Sequence, residues 1–72
     1  MENFKERLRI CRKCKKVTQI DVSNATGIAY STYRRYERSA ENGGTEPTLS
    51  DFVKLADYFG VSLDYLAGRS DE

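Results

Sequence analysis

Seventy-two residues, 39% of them apolar and 32% charged, make one small domain with a modest core, too apolar for a disordered tail. The net charge of +1 hides an asymmetry: residues 1–38 hold ten Lys or Arg against four acids, +6, and residues 39–72 hold two against seven, −5. A basic half suits a polyanion, because each cation placed on a phosphate releases condensed counterions; a solvated basic helix face would give the same count. No apolar run approaches the roughly eighteen residues of a membrane span, and no signal peptide opens the chain, so a cytoplasmic location is expected.

The chain has no His and no nucleophile-and-base pairing, so neither catalysis nor a cofactor is expected. Cys11 and Cys14 form a Cys-x-x-Cys, but a zinc site needs four ligands as a rule, and a redox motif needs a strand-to-helix context. Cys11 reads as a small core residue and Cys14 as the more exposed of the two. The sequence therefore predicts no metal site.

Helical spacing predicts a first helix from about Glu2 to Lys15. Phe4, Leu8 and Cys11 form its buried stripe, Ile10 lies at the margin, and Arg7, Arg9, Arg12, Lys13, Lys15 and Lys16 fill the remainder. Thr18 can cap a second helix over 19–25, with Ile20 and Val22 among its apolar positions. Gly27 stands where that helix must stop. A third helix fits 29–38, with Tyr33 on its inner face together with Tyr36. Its other face carries Tyr30, Ser31, Arg34, Arg35 and Arg38. Two short helices joined by a tight Gly turn, the second rich in Arg, Tyr and Ser, describe a DNA-reading helix-turn-helix.

Residues 39–48 read as a loop broken by Gly43-Gly44 and Pro47, its middle mobile. A fourth helix begins after Thr48 or Ser50 and runs to about Tyr58, burying Leu49, Phe52, Val53, Leu55, Ala56 and Phe59. Ser62 caps a last short helix over 63–67 that closes at Gly68. The domain is thus expected over 1–68, with 69–72 a frayed tail.

Val17-Thr18-Gln19, Gly27-Ile28, Ser31-Thr32, Tyr36-Glu37-Arg38, Pro47-Thr48-Leu49 and the run Gly60 to Gly68 carry a resemblance. Their order and spacing resemble the phage repressor and Cro family, also called xenobiotic-response-element-like, over about residues 4–68. The resemblance implies an all-α, compact five-helix fold with the helix-turn-helix at helices two and three. It implies a sequence-specific regulator of transcription that binds double-stranded DNA as a homodimer on a pseudo-palindromic operator. Transferred position by position, base reading falls on Tyr30, Ser31 and Arg35. Phosphate contacts fall on Gln19, Arg34, Arg38, Asn42 and Lys16, and a structural ion pair on Arg12 and Glu37. Leu63, Tyr65 and Leu66 are candidates for subunit pairing, Leu66 more as core.

The chain also departs from the family pattern. Ser23 replaces the usual Ala. Thr26 replaces Leu or Val, which weakens the local core. Ala29 replaces a capping Ser or Thr, and Tyr33 a smaller Ile. The 39–48 loop is about four residues longer than the family's and carries Glu41 and Glu46. The alternative reading is an antitoxin-like or adaptor module on the same fold, its acidic half meeting a basic partner.

Overall fold

Phe4, Leu8 and Cys11 lie on one side of α1 (Phe4–Lys15) and are all buried. This computed structural model describes residues 3–71, so Glu2, the expected start of α1, and Glu72 lie outside them. The chain continues through α2 (Gln19–Thr26), α3 (Tyr30–Tyr36), one 3₁₀ turn (Ala40–Asn42), α4 (Leu49–Phe59) and α5 (Leu63–Leu66). The described residues contain no strand. No described helix is long and apolar enough to cross a membrane.

One cluster holds the five helices together. Phe4 and Leu8 from α1, Val22 from α2, Tyr33 and Tyr36 from α3, Leu55 and Ala56 from α4 and Leu66 from α5 meet in it, with Ile28 from the turn. Each large side chain buried this way contributes about 1.5–3 kcal/mol. Phe4 sits at the centre of an aromatic group, 6.2 Å from the Tyr36 ring and 5.7 Å from Phe52.

Hydroxyl caps set the helix starts. Thr18, Thr48 and Ser62 accept from the backbone N–H of Asp21, Asp51 and Tyr65, at 3.1, 3.1 and 2.9 Å. In α2 the Asp21 carboxylate returns the bond to the Thr18 N–H at 2.9 Å, completing a capping box. That N–H, and then the Thr18 hydroxyl, hold the Asp21 carboxyl below the usual carboxylate range.

Several sequence expectations change. Leu49 is 76% exposed and Val53 37%. The buried stripe of α4 is narrower than its apolar content: Leu55 and Ala56 are buried, Phe52 and Phe59 partly, while Leu49 and Val53 lie on the flank. Ile20 is 52% exposed, because it sits on the side of α2 away from fully buried Val22. Helix α3 spans 30–36 rather than 29–38. Ala29 has extended ψ and offers no side-chain cap. At the other end the N–H groups of Glu37 and Arg38 donate only three residues back, to Arg34 and Arg35, which tightens and ends the helix.

Arg7 is no solvated charge. Its guanidinium donates to the carbonyls of Tyr65 (3.2 Å) and Ser70 (2.7 Å) and lies 4.2 Å from the centre of the Tyr65 ring. The segment expected to fray is therefore in contact with α1.

Lys16 ends α1 in the left-handed conformation, at φ 60°, the one described non-Gly residue with positive φ. That conformation costs a side-chain-bearing residue about 1–2 kcal/mol, partly offset in Gly by its greater unfolded-state entropy. Lys16→Gly is expected to raise stability by about 0.5–1 kcal/mol in urea unfolding; an unchanged or lower midpoint would show that Lys16 carries no strain.

Candidate nucleic-acid interface

The turn between α2 and α3 is tied by hydroxyls. Gly27 takes φ 79°, where a side chain would strain the backbone. Ser23 Oγ donates to the Ile28 carbonyl at 2.6 Å. Thr26 Oγ1 donates to the Val22 carbonyl at 2.8 Å and accepts from the Ile28 N–H at 3.3 Å. Ile28, so fixed on both sides, inserts into the core at 4% exposure. Sequence reading took Thr26 as a loss of core; the hydroxyl instead holds the turn that aims α3. Its signal was present, since a hydroxyl one residue before a turn Gly can bond its own backbone.

Beneath α3 lies Glu37, the one buried acidic residue among those described, at 4% exposure. Its carboxylate accepts from Arg12 Nε at 2.8 Å and Nη2 at 3.2 Å, a two-point pairing. It also accepts from Gln19 Nε2 at 3.1 Å and from the Tyr33 hydroxyl. Arg9 Nη1 donates to the Glu37 backbone carbonyl at 2.9 Å, and Arg12 Nη1 to that of Val17 at 3.3 Å. One carboxylate thus gathers α1, α2 and α3. The bond to Glu37 raises the Arg12 guanidinium pKa. Burial, followed by the bond to Glu37, pushes the Tyr33 phenol well above its ordinary value of 10.0. Burial and a 2.6 Å bond to Asp51 raise that of Tyr36 as well.

The structure brings Arg12 and Glu37 together as the family resemblance implied. The large Tyr33, in place of Ile, adds a donor to the cluster. Arg9 and the Gln19–Glu37 bond were missed. The Tyr33–Glu37 spacing of four along a helix was a readable signal; the reach of Gln19 from another helix was not.

The opposite face of α3 is open. Tyr30, Ser31, Arg34, Arg35 and Arg38 are exposed. The Arg34 guanidinium sits 5.3 Å from the Tyr30 ring centre, so each restrains the other. Among the described residues, the Arg35 and Arg38 side chains make no hydrogen bond, ion pair or ring contact. Lys16 and Asn42 are exposed, and the Asn42 amide donates to Ser39 Oγ at 2.9 Å. Gln19 is half-buried, its amide given in part to Glu37. Cys11 and Cys14 are free thiols, the first buried and the second exposed. No group of three or more His, Cys, Asp or Glu among the described residues is placed to hold a metal.

Two helices joined through a Gly turn, the second packed by one face and open on the other, define a helix-turn-helix domain. The family model for helix-turn-helix proteins matches residues 8–66. The chain belongs to the phage repressor and Cro-type helix-turn-helix family. It is 39% identical over 70 residues to the uncharacterized HTH-type transcriptional regulator YqaE of Bacillus subtilis, covering 96% of this chain and 57% of that protein. It is 38% identical over 66 residues to the cryptic phage CTXphi transcriptional repressor RstR of Vibrio cholerae serotype O1, covering 92% and 55%. A second uncharacterized HTH-type regulator of Bacillus subtilis, YobD, is 37% identical over 67 residues, covering 93% and 56%. The chain therefore spans little more than half the length of these relatives. No solved structure gives a significant match.

Two measurements probe the cluster. In a double-mutant cycle of Arg12→Ala and Glu37→Ala, the unfolding free energies are expected to show a coupling of about 2 kcal/mol, against less than about 0.5 for an independent surface pair. In alkaline titration followed at 295 nm, Tyr33 and Tyr36 are expected to ionise above the ordinary phenol value of 10.0. Because their folded pKa values are raised, the stability they contribute is complete below the unfolded value near 10 and is lost as pH rises above it. Tyr33→Phe should weaken that alkaline loss and remove a late-ionising phenol from the titration; an alkaline limb unchanged by Tyr33→Phe would contradict the burial.

Proposed function

We propose that this chain is a sequence-specific, double-stranded DNA-binding regulator of transcription that reads the major groove with α3. The observation that carries it is the exposed Tyr30-Ser31-Arg34-Arg35 face of a helix whose opposite face is fixed by the core and the Glu37 cluster. The major groove admits one helix and shows a distinct donor and acceptor pattern for each base pair. Arg35, with a free guanidinium, binds guanine O6 and N7 through two parallel hydrogen bonds. Ser31 donates or accepts at a neighbouring base, and Tyr30 packs on a thymine methyl.

Lys16, Arg34, Arg38 and Asn42 set the register through phosphates, which position the protein without reading sequence. Gln19 has two amide N–H groups, and giving one to Glu37 leaves the other for phosphate at the start of α2. The names of the relatives, two HTH-type transcriptional regulators and a phage repressor, support this reading over an adaptor module. A single domain reads few bases, so the working form is a homodimer on a pseudo-palindrome, its reading helices about 34 Å apart, one DNA turn. Leu63, 44% exposed, and half-buried Tyr65 offer apolar surface for pairing, while Leu66 is wholly core. The protein acts in the cytoplasm, where its DNA lies.

Selection of bound duplexes from a random pool is expected to return a symmetric site. On that site Arg35→Ala should cost about 1–3 kcal/mol and relax preference at one base pair per half-site. An equal loss on every duplex would reassign Arg35 to phosphate, and affinity without salt dependence would remove DNA as the ligand.

A further inference from the structure

Residues 39–45 turn back onto the end of α3 instead of leaving it. The Ser39 carbonyl accepts from the N–H of Asn42 at 3.0 Å and of Gly44 at 2.8 Å. The Gly43 N–H donates to the Ala40 carbonyl at 3.3 Å, and the Thr45 N–H reaches the Arg35 carbonyl at 3.3 Å. The loop expected to be mobile in its middle is therefore internally bonded and tied to the reading helix.

Its two glycines have different tasks. Gly43 has φ +86° and open space around it, so only its backbone conformation is special. Gly44 needs room: a Cβ there would lie 2.0 Å from the Arg38 carbonyl oxygen and 2.7 Å from both the Arg38 carbonyl carbon and the Ser39 carbonyl oxygen. All three are backbone atoms, which cannot swing aside as a side chain does.

We propose that the 39–45 loop is a brace that sets where Arg35 and Arg38 stand on DNA, with Gly44 as its positioning residue. This rests on the DNA-reading role of α3. The Arg35 carbonyl already accepts from the Arg38 N–H at 3.2 Å, and the loop adds a second bond to the same oxygen through Thr45, so the end of α3 and the loop share one acceptor. Arg35 and Arg38 have no side-chain partner among the described residues, so their placement depends on the backbone that carries them. A recognition group has to be held to within about 0.5 Å of its productive position. A methyl at 44 lifts the loop off Arg38 and breaks the Thr45 bond to the Arg35 carbonyl, while Tyr33 and Tyr36 stay in the core.

The test compares the unaltered chain with Gly44→Ala, Gly43→Asn and Thr45→Pro. Each is titrated with the duplex selected by the unaltered chain and with a scrambled duplex, alongside thermal melting, and amide exchange at Thr45 is followed in every chain that keeps that N–H. Asn tolerates the left-handed region, so Gly43→Asn is expected to keep both affinities. Gly44→Ala is expected to lower affinity for the selected duplex roughly tenfold and for the scrambled duplex less than about threefold, the pattern of a displaced base contact, with Thr45 exchange accelerated. Thr45→Pro removes the N–H tie without placing a Cβ at 44, though it also fixes φ at 45; it should lower discrimination in the same direction and decides the matter if Gly44→Ala does not fold. Unchanged discrimination in folded Gly44→Ala or Thr45→Pro, or an equal loss on both duplexes that tracks melting, overturns the brace. Failure of the unaltered chain to prefer any duplex overturns the DNA reading instead.

Discussion

The structure depends on the solvation of one carboxylate. Removing an ion such as Glu37 from water costs several kcal/mol unless its oxygens are fully matched. Here Arg12 supplies two N–H groups, Gln19 one, and Tyr33 its hydroxyl. Those donors lie on α1, α2 and α3, so matching the charge fixes the three helices relative to one another. Apolar burial supplies most of the driving force but little direction, since a leucine accepts many orientations. A two-point Arg–carboxylate pair accepts few. The cluster therefore contributes more to where α3 stands than to whether the chain folds.

That division matters because α3 is too short to be a helix by itself. Seven residues lie far below the length at which isolated helices persist in water. It lacks a side-chain cap at Ala29 and bears Arg34 and Arg35 in its last turn, where cations suit the helix dipole. Everything else is imposed from outside: the hydroxyl-tied turn before it, Glu37 beneath it, Tyr33 and Tyr36 in the core, and the folded loop after it. A helix constrained on every side but one presents the remaining side with little freedom, as rigid recognition requires.

Helix existence, caps and most of the core were legible from residue pattern, because Phe4, Leu8 and Cys11 follow the helical period and Thr18, Thr48 and Ser62 stand before helical runs. The outward face of α3 was legible for the same reason. What escaped is what depends on three dimensions. Leu49 and Val53 fit the apolar pattern of α4, yet both stay exposed on its flank, Leu49 largely so. Arg7 and Arg9 look like surface charges, and only the folded chain brings the Tyr65 and Glu37 carbonyls within reach. The loop's fold was hidden because its key demand, room for the Arg38 carbonyl at Gly44, leaves no mark beyond the glycine itself. The Arg12–Glu37 pair was reached through family likeness, since 25 residues separate the partners and no local rule joins them.

These internal uses also change the meaning of the charge asymmetry. Of the ten cations in the first half, Arg7, Arg9 and Arg12 are spent on backbone carbonyls and Glu37, and Lys15 stacks 4.9 Å from the Tyr58 ring. Of its acids, Glu37 is buried and Asp21 faces its own cap. The excess of +6 therefore misstates what a duplex would meet: fewer cations than the count, but with two of the four acids turned away from solvent or onto their own backbone. On the proposed reading, Lys16, Arg34, Arg35 and Arg38 supply the positive surface that remains at the helix-turn-helix. On that same reading, so few cations beside the reading helix give weak, salt-sensitive attraction, which is the physical reason for proposing that two such domains are joined, with selectivity resting on the few side chains that α3 holds still.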